Sequence, residues 1–147
     1  MILSNTCKYG VRATIYLALK KNKNEKTGIK KIAEDLDMPT PFLGKILQQL
    51  ARHKVLSSTK GPHGGFGLGM KPEEIKLIDI VKIIDGEEVF NTCLINLKSC
   101  STKEHEKSPC PLHKRFSPIR NQIIELFNNQ TIAELAEDIE NNEGLEV

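Results

Sequence analysis

The stretch Thr40-Pro-Phe-Leu-Gly-Lys-Ile-Leu-Gln-Gln-Leu-Ala-Arg52 decides the fold of this chain. Its apolar side chains recur with the spacing of one helical face: Leu43, Ile46, Leu47 and Leu50. Thr40 is a favoured N-cap, and Pro41 suits the first helical position, where its missing N–H costs nothing. The stretch therefore predicts a helix with one buried face.

A shorter helical pattern precedes this helix. Its apolar residues again follow helical spacing: Ile29, Ile32, Ala33 and Leu36. Pro39 ends it, because the residue before a proline disfavours the α conformation. Two helices joined so tightly predict a helix-turn-helix.

The face of the second helix opposite the buried stripe is polar. It carries Pro41, Lys45, Gln48 and Arg52. Cations suit phosphates and the Gln48 amide suits a base edge, as contact with a DNA major groove requires. Any amphipathic surface helix also has a polar face, so this face alone does not decide.

Residues 55–69 predict a β-hairpin. Short apolar and β-branched runs flank a glycine-rich tip at residues 60–65. A hairpin directly after a helix-turn-helix is a wing, and Lys60 and His63 at its tip can approach phosphates or a minor groove. A nucleotide-binding loop is disfavoured, since no Gly-Lys-Ser/Thr follows the glycines.

Further helical patterns lie on both sides of this unit. Residues 5–21 predict a largely buried helix, and residues 77–84 predict another, ended by Gly86. Ser117-Pro118 repeats the N-cap and first-position signal for a helix to about residue 128. Thr131-Ile-Ala-Glu134 is a capping box for a last helix, and the acidic tail from Glu137 is expected to fray.

The helix predicted at 117–128 is long and apolar for a chain of 147 residues. Its stripe consists of Ile119, Ile123, Leu126 and Phe127. Such a helix can pack on the same helix of a second copy of the chain. The second helices of the two helix-turn-helix units would then lie about one DNA turn apart. Packing within one chain is the other possibility.

Three of the four cysteines lie in a polar stretch that cannot bury enough apolar surface to order itself. Grouped thiols there indicate a metal centre, and the residues available are Cys93, Cys100, Cys110 and His113. Three thiolates and an imidazole suit zinc or an iron–sulfur cluster, and the spacing does not choose between them. Reactive thiols or ordinary cysteines are the alternatives.

The net charge of +2 conceals an asymmetry. Residues 1–71 carry 13 Lys and Arg against 4 Asp and Glu, whereas residues 72–147 carry 8 against 15. The basic half is expected to meet a polyanion, although a solvated lysine-rich surface would look the same. No signal peptide or membrane-length apolar run is evident, which predicts a cytoplasmic protein without a membrane partner.

Several motifs together resemble the IscR/NsrR/CymR (Rrf-type) family of winged-helix transcription regulators. They are Tyr9-Gly-Val-Arg-Ala13, Ile32-Ala33, Pro41 to Leu50, Lys60 to Phe66, Asp85-Gly86, Cys110-Pro-Leu-His113 and Thr131 to Leu135. The resemblance implies a mainly α fold with a small β-hairpin: a winged helix-turn-helix plus a long dimerisation helix. It also implies a homodimer that binds double-stranded promoter DNA.

The resemblance divides the chain into a DNA-binding domain (1–86), a cluster-binding loop (87–116) and a dimerisation helix with a short last helix and acidic tail (117–147). It places Cys93, Cys100 and Cys110 at the cluster thiols and His113 at a histidine ligand, with 2Fe-2S favoured over 4Fe-4S. The cysteine gaps are longer than is common in the family, and Lys8 replaces a carboxylate ligand of some relatives. Cys7 is either a further ligand or simply buried.

The resulting prediction is a homodimeric DNA-binding regulator, not an enzyme, that senses iron–sulfur status, nitric oxide or redox state. The residues expected to contact DNA are Thr40, Pro41, Lys45, Gln48, Arg52, Lys60 and His63. One alternative is a cluster-free regulator controlled by a protein partner or by zinc. Another is a thiol or iron–sulfur redox protein, which would leave the winged unit without a use.

Overall fold

A computed structural model describes residues 3–20, 25–95, 110–142 and 147. Within these residues the chain forms six α-helices, one 3-10 turn and a two-stranded antiparallel hairpin. In chain order they are α1 (Asn5–Leu19), α2 (Ile29–Asp35), α3 (Thr40–Arg52), β1 (Leu56–Thr59), β2 (Gly65–Leu68), α4 (Leu77–Ile84), the 3-10 turn (Glu87–Phe90), α5 (His113–Asn129) and α6 (Ile132–Asn141). The predicted mainly α fold with a winged helix-turn-helix is confirmed.

Helices α1, α2 and α3 enclose the main core. The predicted stripe of α3 is buried along its whole length: Leu43, Ile46, Leu47 and Leu50. Ile32 and Ala33 of α2 pack into the same core, and α1 lies across α3. Burying such side chains contributes about 1.5–3 kcal/mol each, so this stripe determines how α3 is seated.

The prediction that Thr40 caps α3 is wrong. The Leu43 amide donates to the Pro39 carbonyl at 3.2 Å, so the helix begins one residue earlier and Pro39 is the N-cap. Thr40 is thereby the first helical residue, and no side chain caps this end. Pro41 still lies in the first turn, where it displaces no helical hydrogen bond.

Helix α1 is largely buried, as predicted, and ends at Leu19. Ser4 caps it by accepting from the Cys7 amide at 3.0 Å, and the Ser4 amide donates to Asp85 at 2.9 Å. Gly10 lies where α1 meets α4, and a Cβ there would collide with the side chain of Ile84. The glycine therefore leaves room for the end of the Ile84 side chain between the two helices.

The wing is attached to the helix-turn-helix by the segment before α2. In the hairpin Leu56 pairs with Leu68, and Thr59 pairs with Gly65. Thr27 exchanges two backbone hydrogen bonds with Phe66, each of 2.8 Å. Gly65 has a φ of +150°, and a Cβ there would collide with the Thr27 carbonyl, so this attachment requires glycine.

A second, smaller core joins α4, the 3-10 turn and α5. The Phe90 and Phe127 rings meet edge to face with centroids 5.9 Å apart, and Ile78 and Val81 pack beside them. Helix α4 packs against α1, α3 and α5. The side-chain amide of Gln49 on α3 donates to the Ile83 carbonyl on α4 at 2.6 Å, which ties the two helices together.

The prediction that Ser117-Pro118 opens the long helix is wrong. Helix α5 begins at His113, and Pro118 lies inside it. The first turn closes upstream, because the Arg115 and Phe116 amides donate to the Leu112 carbonyl at 3.1 and 2.8 Å. The Ser117 hydroxyl lies 3.4 Å from His113 Nε2 and caps nothing.

The capping box at the last helix is confirmed. The Glu134 amide donates to the Thr131 hydroxyl at 3.2 Å, and the Thr131 amide donates to the Glu134 carboxylate at 2.9 Å. These bonds to Thr131 lower the pKa of Glu134. Residues 137–141, expected to fray, continue α6 because the helix packs on α1. None of the helices in the described ranges is long and apolar enough to cross a membrane.

Candidate nucleic-acid interface and metal centre

Helix α3 presents one exposed polar face. Pro41, Lys45, Gln48 and Arg52 are all exposed and lie opposite the buried stripe. Thr40 is half-buried at the first helical residue. Five side chains predicted to contact DNA thus share one short helix, and four of them project freely.

The other two predicted contacts lie on the wing. Lys60 and His63 are exposed between β1 and β2. The loop that carries them turns tightly, because the Gly64 amide donates to the Gly61 carbonyl at 2.9 Å and Gly61 has a φ of +105°. A narrow tip of this kind can lie along a groove beside the helix.

The cations of these two elements are available to an anionic partner. The ion pairs found among the described residues join Lys31 to Asp35 and Lys82 to Glu87, so they involve neither Lys45, Arg52 nor Lys60. An unpaired surface cation can neutralise a phosphate without first losing an internal partner. The exposed face of α3 and the wing tip together form the candidate nucleic-acid interface.

Two residues of α3 that were not predicted as contacts also bear on the site. Phe42 is 66% exposed, although aromatic side chains are usually buried. The exposure of Phe42 could have been predicted from the sequence, because Phe42 lies about 100° around the helix from Leu43 in the buried stripe. Gln49 is half-buried and bonds to α4, and no local pattern distinguishes it from its neighbour Gln48.

The structure brings two of the four predicted metal ligands together. The sulfur atoms of Cys93 and Cys110 are 3.4 Å apart, although the residues are 17 positions apart in sequence. A disulfide would require about 2.05 Å. Two thiolates on one tetrahedral metal lie about 3.8 Å apart, because each metal–sulfur bond is about 2.3 Å. The pair therefore fits two ligands of a single metal.

Different elements position the two sulfurs. Cys93 follows the 3-10 turn, whose Phe90 ring packs against Phe127, and its side chain is buried. Cys110 is half-buried just before α5. The hydrogen bond with Cys93, followed by burial, raises the pKa of Cys110. A nearby cation is the usual means of keeping two such sulfurs as thiolates.

The remaining predicted ligands are His113 and Cys100. His113 is the first residue of α5, and its amide donates to the Cys110 carbonyl at 2.9 Å. Cys100 lies outside the described residues. Within the described ranges, no three His, Cys, Asp or Glu side chains are grouped as they would be around a metal ion.

Cys7 is buried in the second core. It is fully enclosed beside Val81 and Phe90. Burial, with a smaller effect of Asp85, raises the pKa of Cys7 to about 12. A thiol held neutral by its surroundings is a packing group, which agrees with the simpler of the two interpretations of this residue.

A cavity of about 410 Å³ opens beside Cys93. Phe90, Phe116 and Ile123 supply apolar walls, and Arg120 supplies a cation. The Arg120 guanidinium donates to the Ser117 hydroxyl at 3.4 Å, which orients it along the first turns of α5. The space next to the buried thiol is therefore mainly apolar.

A family model described as "Iron-dependent Transcriptional regulator" matches residues 3–138 of the chain. The chain belongs to the Rrf2 family. This Rrf2 protein is accordingly a DNA-binding transcription regulator and not an enzyme, in a family whose members are typically dimeric. The helix-turn-helix and wing described above are the parts of the Rrf2 fold that can carry DNA binding.

Curated relatives agree with this assignment. The chain is 34% identical over 135 residues to an HTH-type transcriptional regulator of Aquifex aeolicus (strain VF5), covering 92% of this chain and 91% of that one. It is 27% identical over 147 residues to the HTH-type transcriptional regulator IscR of Sodalis glossinidius (strain morsitans), covering 100% and 84%.

Solved structures share the Rrf2 fold. CymR, the global cysteine regulator of B. subtilis, superposes with a TM-score of 0.73 at 24% identity, covering 92% of this chain and 96% of that one. IscR of T. potens superposes with a TM-score of 0.70 at 21% identity, covering 99% and 93%.

Proposed function

We propose that this Rrf2 protein acts as a homodimer whose binding to promoter DNA is controlled by an iron–sulfur cluster. Cys93, Cys100, Cys110 and His113 would hold the cluster, with 2Fe-2S favoured. The observation that carries the proposal is the 3.4 Å approach of the Cys93 and Cys110 sulfurs, made by residues 17 positions apart. The family's description as iron-dependent and the similarity to a protein named IscR support it.

The cluster, when bound, supplies an iron centre sensitive to redox state and to small reactive ligands. The chain's own residues determine what its presence changes. Linking Cys93 to Cys110 joins the 3-10 turn, which Phe90 anchors in the second core, to the start of α5. Without that link the 3-10 turn and α5 would be joined by the Phe90–Phe127 contact and by the intervening chain.

The chain of contacts from this site to α3 runs through α4. Phe90 and Phe127 pack beside α4, and α4 accepts the hydrogen bond from Gln49 on α3. A shift of α5 against α4 would therefore act on the seating of α3. This route is a physical connection between the elements, and its coupling energy is a quantity to be measured.

Helix α5 also offers the surface for the homodimer. Ile119 and Leu126 lie two turns apart on α5 and are 53% and 56% exposed. Ile123 is half-buried and Phe127 is buried against the same chain. Part of the predicted stripe therefore packs within the chain, and the rest is exposed. Covering Ile119 and Leu126 with their twins would set the distance between two α3 helices.

The test is anaerobic purification followed by a visible absorption spectrum and assays of iron and acid-labile sulfide. We expect coloured protein with equal amounts of iron and sulfide. Replacing any proposed cysteine ligand should abolish the colour, so Cys93→Ala, Cys100→Ala and Cys110→Ala are compared with Cys7→Ala. The last variant removes a buried thiol outside the site and should keep its iron.

Operator binding separates the outcomes. Colourless, iron-free protein that binds its operator as tightly as a reconstituted sample would refute control by a cluster. Zinc in place of iron would identify a zinc-dependent regulator. Protein free of both metals would identify a regulator governed by a partner.

A further inference from the structure

We infer that Phe42 contacts the 5-methyl group of a thymine in the operator and so contributes to sequence preference. Phe42 is 66% exposed, more than any other large hydrophobic side chain in the described part of the chain. The exposed phenyl ring offers apolar area, and a partner that covered it would gain binding free energy.

Phe42 lies in the part of α3 that reaches furthest towards DNA. It is the third residue of the helix. In helix-turn-helix proteins the N-terminal residues of the reading helix contact base edges in the major groove. The ring therefore projects from the turn best placed to touch bases.

Few polar side chains surround Phe42 in this turn, so we expect it to make an apolar contact. Pro41 has no polar side chain, Gly44 has none at all, and Thr40 is half-buried. The polar side chain of Lys45 comes about one turn later, and that of Gln48 nearly two turns later. Of the groups on major-groove base edges, the thymine methyl is the apolar one, and Phe suits it.

Charge around Phe42 favours nucleic acid over a protein as the covering partner. Lys45 follows it by three residues and forms no ion pair within the described ranges. A cation beside the ring suits a polyanion. The exposed apolar residues of the proposed dimer surface, Ile119 and Leu126, lie on a different helix, α5.

The test replaces single thymines by deoxyuridine, which lacks only the methyl group. A tight-binding duplex is first selected from a random pool with the whole wild-type protein. Affinity is then measured by fluorescence anisotropy for each substituted duplex. We expect one thymine position per half-site to bind about four-fold more weakly as uridine, as burial of one methyl group implies.

The same series with Phe42→Ala identifies the side chain. That variant should bind the thymine and uridine duplexes equally at the sensitive position, whereas Phe42→Leu should keep part of the preference. Met70→Ala, which alters another exposed apolar residue after the wing, should keep the wild-type pattern. Phe42 is exposed, so these variants should fold normally, which thermal melting checks.

Three results would overturn the inference. The wild-type protein could bind every uridine-substituted duplex as tightly as the parent duplex, or Phe42→Ala could lose as much affinity as the wild type at the sensitive thymine. Phe42→Ala could also dissociate to monomers while the affinity lost on uridine substitution stays the same. The last would make Phe42 a protein contact. Each readout compares duplexes or variants in the same metal state, whichever state binds DNA, so the inference can fail while the cluster proposal stands, or the reverse.

Discussion

Replacing Lys45 by alanine should weaken binding to all duplexes and reduce its dependence on salt. Lys45 is exposed on the reading face of α3 and forms no ion pair within the described residues. Each phosphate that a cation neutralises contributes about −0.9 to the log–log slope of affinity against salt. The loss of one lysine per chain is therefore measurable as a change of slope.

The magnitude follows from the cations at the interface. Lys45, Arg52 and Lys60 are exposed on α3 and the wing. If each neutralises one phosphate, a dimer has a slope of about −5.4, and Lys45→Ala reduces it to about −3.6. Between 50 and 200 mM salt, the wild type should lose about three orders of magnitude in affinity and the variant about two.

The assay is a salt titration of anisotropy with a promoter-length duplex. Lys82→Ala is the matched control, because Lys82 is an exposed lysine on α4 that pairs with Glu87 at 3.6 Å. It should leave the slope unchanged. A slope for Lys45→Ala equal to that of the wild type would refute the placement of α3 on DNA, and a loss of only about 0.9 would indicate binding as a monomer.

The remaining predictions concern specificity and stability. Gln48→Ala should relax preference among operator variants more than it lowers affinity, and identical discrimination by variant and parent would contradict this role. Gly65→Ala should destabilise the fold by about 1–3 kcal/mol in urea unfolding, because its φ is +150° and its Cβ collides with the Thr27 carbonyl, whereas Gly28→Ala has open space and should change stability by less than about 1 kcal/mol. Phe127→Ala should cost about 3–5 kcal/mol, and an effect below about 1 kcal/mol would show that the second core is not needed for α5 to pack.

Much of the DNA-binding half could be predicted from local pattern. The α3 stripe and the wing glycines carry their own signal, because helical period and positive φ are properties of a few consecutive residues. The two motifs with proline after Thr or Ser show that a local pattern does not always locate the start of a helix. Pro41 does lie in a first turn, but the similar Ser117-Pro118 lies inside α5, because the turn before it closes on Leu112.

The candidate metal centre could be predicted in chemistry but not in geometry. Residue types identified thiolate and imidazole ligands, which depend only on composition. Cys93 and Cys110 meet although they lie 17 positions apart, and the nearby Phe90–Phe127 contact likewise joins segments far apart in sequence. No period or spacing encodes that distance.

Pro118 gives α5 a joint one turn below its start. Proline has no N–H, so the Lys114 carbonyl lacks the donor that a regular helix would offer it. The first turn of α5, which begins with His113, is therefore held by fewer hydrogen bonds than the rest of the helix, where Phe127 packs in the second core. A displacement of the segment that carries Cys110 can therefore tilt this first turn while the rest of the helix keeps its hydrogen bonds.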